Sequence, residues 1–97
     1  MSRQELLQDS KNQPILLDFW APWCGPCRGF SKTLDSFEDE YGDQVKIIRV
    51  NTDENPQLAK EYNISSIPTV VYVNDGVETV RIGGLSSSSL KELTQVA

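Results

Sequence analysis

Cys24 and Cys27 are the only thiols in a chain of 97 residues that contains no histidine. They stand in the segment Trp23-Cys24-Gly25-Pro26-Cys27. Two intervening residues let the sulfurs meet as a helix begins, so a disulfide forms there without large strain. A bridge closing so small a loop constrains little of the unfolded chain, which makes structural stabilisation a poor reason for it. Two cysteines are also too few to staple a secreted scaffold. A structural zinc ion needs four ligands and would have to recruit carboxylates or a second chain, so no metal is expected. What remains is reversible thiol–disulfide exchange. At a helix N-terminus the unpaired N–H groups and the helix dipole favour thiolate over thiol, which points to Cys24 as the nucleophile. Cys24 would attack a substrate disulfide to give a mixed disulfide. Cys27, one turn later and expected to be the more buried, would then attack Cys24 and release the reduced substrate.

The elements that must hold this pair can be read on either side of it. Upstream, residues 15–20 (Ile-Leu-Leu-Asp-Phe-Trp) form a nearly continuous apolar run, as expected of a central strand covered on both faces. Asp18 interrupts that run, and burial would raise its pKa and make it a proton acceptor. Downstream, Phe30, Leu34, Phe37 and Tyr41 recur at helical spacing, and Gly42 marks the helix end. An opening helix is expected within 2–12, ended by Pro14. A second strand is expected over 45–50, where β-branched residues dominate. Asn55-Pro56 reads as an N-cap followed by proline at the first helical position. Segments 69–74 and 77–82 flank Asp75-Gly76, a two-residue hairpin signal that requires positive φ at both positions. The serines 86–89 open a last helix, because Leu90, Leu93 and Val96 follow on one face. The order is helix, strand, helix, strand, helix, hairpin, helix, which is an α/β architecture in one domain over residues 1–97.

Bulk properties narrow the partners. A net charge of −5 argues against nucleic acid, whose phosphates would be repelled. The longest apolar runs are of strand length and cannot cross a bilayer. The N-terminal Met1-Ser2-Arg3-Gln4-Glu5 leads into no extended apolar stretch, so no cleavable secretory signal is expected and a cytoplasmic setting is. The acidic run 35–40 reads as a solvated helix face.

The segment Asp18-Phe19-Trp20-Ala21-Pro22-Trp23-Cys24-Gly25-Pro26-Cys27-Arg28 resembles the active-site signature of the thioredoxin family. Residues 50–56 (Val-Asn-Thr-Asp-Glu-Asn-Pro), Ile64 to Thr69 and Gly83-Gly84-Leu85-Ser86 match that family in order and spacing. The resemblance implies a three-layer sandwich with a mixed sheet flanked by helices. It also implies protein disulfides as substrates and a thioredoxin reductase, fed by NADPH or by ferredoxin, as electron source. No cofactor is implied beyond the redox-active Cys24–Cys27 disulfide. Asp18 matches the acid that takes the proton of the second cysteine, here Cys27, with a solvent-facing Asp as the alternative. Arg49 stands where the family usually has lysine, near that acid; arginine keeps its proton, so the coupling would be less tunable. Pro68 matches the family's cis-proline, and Gly83 a glycine that lets substrate approach, unless it merely ends a strand. Trp23, Ile67 and Pro68 would then form an exposed apolar rim for client segments, with Gly25 and Pro26 shaping the site.

Two departures from the family pattern stand out. Lys32 occupies the position of a helix-kinking proline, and Gly29 lies inside the same helix, where glycine costs about 1 kcal/mol relative to alanine and needs a reason in close packing or flexibility. The family's first strand has no counterpart before Ile15. A four-stranded mixed sheet is therefore expected with 45–50 at its edge, where Lys46 and Arg49 would discourage pairing with another chain. A monomer is expected, with a weak dimer through that edge as the alternative. A disulfide-forming oxidant is disfavoured by Gly-Pro between the cysteines and by the absence of histidine; thioredoxins lie near about −270 mV as a family, against about −120 mV for strong oxidants of the fold. A binding module with incidental cysteines is disfavoured by the joint presence of Asp18 and Pro68.

Overall fold

A computed structural model describes residues 1–97. Its elements are α1 (Arg3–Asp9), β1 (Ile15–Trp20), α2 (Gly25–Tyr41), β2 (Lys46–Asn51), α3 (Pro56–Glu61), β3 (Thr69–Asn74), β4 (Val77–Ile82) and α4 (Ser87–Thr94). The order of types matches the sequence reading throughout. The sheet has four strands in the order β2-β1-β3-β4, with β2 parallel to β1 and the other pairs antiparallel. The strand with the most continuous apolar run, β1, is central, and β2 lies at an edge as expected.

Side chains of a strand alternate between faces, and β1 shows why the sheet is covered on both. Ile15, Leu17 and Phe19 enter a core with Leu6 of α1, Leu58 of α3, Val50, Val71 and Val73. Leu16 points the other way, into a core with Phe30, Leu34 and Phe37 of α2, Leu90 of α4, Val45, Val70 and Tyr72. The result is three layers, α1 and α3 below the sheet, α2 and α4 above it. The same alternation fixes the site. Asp18, two residues after Leu16, lies on the α2 face, and Arg49, two after Ile47, lies on that face of β2.

The boundaries differ from the sequence reading where local hydrogen bonds override pattern. α1 is shorter than 2–12: Ser10 closes it, its hydroxyl donating to the Leu7 carbonyl at 2.7 Å, and residues 10–12 form turns. Ser10 also anchors the hairpin, its Oγ accepting from the Gly76 N–H at 2.9 Å and its carbonyl from the Asp75 N–H at 3.0 Å. β2 starts one residue late, because Val45 is still tied to the Tyr41 carbonyl and pairing begins at Lys46 opposite Ile15. Asp75 and Gly76 have φ of +50° and +79°, as the hairpin turn demands. Ser86 caps α4 by accepting from the Ser89 N–H at 3.2 Å. Asn55 precedes Pro56 but makes no side-chain cap; its amide instead donates to the Asn51 carbonyl at 3.0 Å.

α2 is continuous over 17 residues, passing Gly29 and Lys32 without interruption. A Cβ built on Gly29 would meet nothing within 4 Å, so close packing is not the reason for that glycine. Gly42 ends the helix by a different route from the left-handed turn usual for glycine. Its φ is −62°, but a Cβ there would lie 2.6 Å from the Glu38 carbonyl oxygen, to which the Gly42 N–H donates.

Candidate active site

β1 ends at Trp20 and α2 starts at Gly25, and the four residues between them bring the cysteine pair to the helix N-terminus. Cys24 is the N-cap of α2, extended at φ −85°, and its Sγ accepts from the Cys27 N–H at 3.2 Å. Pro26 fits here because the first helical positions have no intrahelical N–H partner to lose. Cys24 and Cys27 are disulfide-bonded. A backbone N–H aimed at Sγ, together with the helix dipole, stabilises negative charge on Cys24 once the bond is reduced.

Burial does not separate the two cysteines, contrary to the expectation that Cys27 lies deeper. Both are almost fully covered, at 5% and 4% exposure. What separates them is their neighbours. Cys24 Sγ lies 3.8 Å from the Ile67 carbonyl oxygen, on the side of the 67–68 loop. Cys27 instead lines a cleft of about 340 Å³ with Asp18, Trp20, Arg28, Lys32 and Arg49.

Asp18 is 97% removed from solvent by its 3% exposure, so the solvent-facing alternative is ruled out. Burial pushes its pKa up to about 6, and Arg49, its register partner on β2, pulls in the opposite direction. Asp18 Oδ1 has no hydrogen-bond partner in the protein. The Arg49 guanidinium is turned to α2 instead, donating to Asp35 at 2.6 Å and to Glu38 at 2.9 Å. Those pairs hold Arg49 in place beside the cleft while sparing Asp18 a direct contact.

The Ile67–Pro68 peptide is cis. The Pro68 carbonyl accepts from the Gly83 N–H at 2.8 Å, and Gly83 has φ +98°, a conformation that side-chain-bearing residues avoid. Gly83 therefore does more than end β4: it ties the segment after the hairpin to the proline loop. A Cβ on Gly83 would meet no atom within 4 Å, so this backbone faces open space. The apolar rim is narrower than expected. Trp23 is 69% exposed, but Ile67 is only half-buried and Pro68 is buried under its neighbours. Pro68 thus shapes the rim through its backbone, and Ile82, 73% exposed, supplies the apolar surface on that side.

Sequence reasoning missed what steadies Trp23. Its indole N–H donates to Asp53, 3.1 Å from Oδ2. Asp53 is put there by Asn51, whose Oδ1 accepts from the Asp53 N–H at 2.9 Å in a side-chain turn at the end of β2. The signal was present in the segment 50–56, but a turn that docks on a distant indole has no local pattern.

A family model for thioredoxin matches residues 2–96. Thioredoxin 1 of Synechococcus elongatus is 49% identical over 90 residues, covering 91% of this chain and 81% of that relative. The thioredoxin of Griffithsia pacifica is 47% identical, covering 89% of this chain and 80% of its own length. Among solved structures, Fasciola hepatica thioredoxin superposes with a TM-score of 0.82 at 30% identity, covering 95% of this chain and 88% of that one. With the sheet order, the capped cysteine pair and these matches in hand, the chain belongs to the thioredoxin family. It is a dithiol–disulfide oxidoreductase that reduces protein disulfides, and Cys24 and Cys27 are the pair that does so.

Proposed function

We propose that the two cysteines divide the reaction, with Cys24 as nucleophile and Cys27 as resolving thiol, and that Asp18 serves Cys27. The N–H of Cys27 on Cys24 Sγ is the observation that carries this reading, because it favours the thiolate at Cys24. Cys24 Sγ attacks one sulfur of the client disulfide; the new S–S bond forms as the client bond breaks and the first client thiolate leaves. Cys27 then attacks Cys24 Sγ, closing the Cys24–Cys27 bond and releasing the second client thiolate. Two electrons pass to the client, and the proton of Cys27 goes to Asp18, which shares its cleft. A carboxylate titrating near about 6 is well matched to that transfer at neutral pH. The disulfide itself carries the redox equivalents, so the cycle needs no bound cofactor.

Clients dock as extended segments over Trp23, the Ile67 backbone, Gly83 and Ile82, where exposed apolar surface adjoins open backbone. A thioredoxin reductase restores the dithiol over the same face, and supply of the chain with each reductase class identifies the donor. A reducing, cytoplasmic-type compartment suits a cycle that must be reset after every turnover. Insulin disulfide reduction with dithiothreitol as donor tests the assignment. The wild-type chain accelerates precipitation of the insulin B chain, and Cys24→Ser abolishes the acceleration. Full activity of Cys24→Ser would overturn the division of roles.

A further inference from the structure

The cleft that joins Cys27 to Asp18 carries more charge than proton transfer requires. Its lining joins the apolar Trp20, Ala21 and Pro22 to the cations Arg28, Lys32 and Arg49, with Asp18 and Cys27 buried beside them. Arg49 is neutralised by Asp35 and Glu38 of α2. Arg28 and Lys32 are not. They sit one turn apart on α2, both exposed, and neither makes an ion pair; Arg28 only donates to the Pro22 carbonyl at 3.3 Å. Two unpaired cations flank the site of a chain whose net charge is −5. Like charges at i and i+4 on a helix repel each other, so their juxtaposition is not explained by the stability of α2.

We propose that this cleft is a subsite for a carboxylate side chain of the client protein, an Asp or Glu placed next to the reacting disulfide and held by Lys32 and Arg28. The occupant has an apolar stem and an anionic head, which matches a lining that joins apolar to cationic side chains. Repulsion from the buried Asp18 favours a head held outward, beside the exposed Lys32 and Arg28. The inference rests on the reading that the client is bonded to Cys24, on the other side of the helix N-terminus, so that a neighbouring client residue reaches the cleft. Acidic clients are thereby selected against the net charge of the chain.

The test uses two disulfide-bonded peptides that differ only in one flanking residue, Glu or Gln, with dithiothreitol as donor. For the wild-type chain kcat/KM is higher for the Glu peptide by roughly two- to fivefold, the range of a partly exposed ion pair. Lys32→Ala and Arg28→Ala each lower that ratio toward one, whatever they do to turnover of the Gln peptide. About 1 M salt, where the Debye length is about 3 Å, does the same. Lys60→Ala, an exposed lysine on α3 outside the cleft, leaves the ratio intact. A wild-type ratio of one, or an equal fall with Lys60→Ala, overturns the subsite. Failure to reduce the Gln peptide at all would instead count against the assignment of Cys24.

Discussion

At the scale of single residues, one buried acid lines the cleft beside Cys27. Asp18 titrates near about 6 against 3.8 in the unfolded chain, because burial disfavours its charged form. Between those values the folded protein holds a proton that the unfolded chain has released. The contribution of Asp18 to stability is therefore fully present below about 3.8 and is lost as pH rises through about 6, on the order of 3 kcal/mol. Asp18→Asn removes this decline, so denaturant unfolding at pH 8 gives a higher midpoint for the variant, and the gap closes by pH 4. The contribution of Glu78 runs the other way and lies at lower pH, since its hydrogen bonds from Arg3 hold its carboxyl below the ordinary value. Asp18 was legible in the sequence as a carboxylate inside an apolar run. Asp53 was not, because nothing in its neighbours states that an indole 30 residues away will donate to it.

At the scale of elements, α2 carries the reactive pair at one end and two glycines whose reasons differ. Gly29 has open space around it, so Gly29→Ala gains about 0.5–1 kcal/mol from helix propensity alone. Gly42 has the Glu38 carbonyl 2.6 Å from where a Cβ would sit, so Gly42→Ala forces the helix end to shift and loses about 1–3 kcal/mol. Urea unfolding of the two variants gives midpoint shifts of opposite sign. Element type and order were readable because apolar periodicity and turn residues agree at every step, as at Asp75-Gly76 and at Ser86. The ends of elements were less so. α1 stops at Ser10 because that serine bonds a hairpin 66 residues later, and no local pattern encodes such a partner. The exposed rim assigned to Pro68 fails for a similar reason: the family resemblance implies a cis bond there, but burial depends on how other elements pack around it.

At the scale of the molecule, a four-stranded sheet leaves β2 as an edge, with Lys46 exposed and the Arg49 guanidinium drawn to α2. A charged, short edge resists pairing with a second copy. Sedimentation over a wide concentration range is expected to return the monomer mass throughout, and a mass that rises with concentration would contradict this. One end of the sheet gathers everything the chemistry uses: the α2 N-terminus, the 67–68 loop and the start of the segment after β4. The opposite end is tied by Ser10 to the hairpin, which leaves the reactive end free to meet partners.

The division of labour between the cysteines is tested most directly by trapping the mixed disulfide. Cys27→Ser, reduced and mixed with a disulfide client, is expected to accumulate a covalent adduct whose mass and peptide map place the client on Cys24. Cys24→Ser under the same conditions is expected to accumulate none. A client found bonded to Cys27 in the second variant as readily as to Cys24 in the first would contradict the assignment.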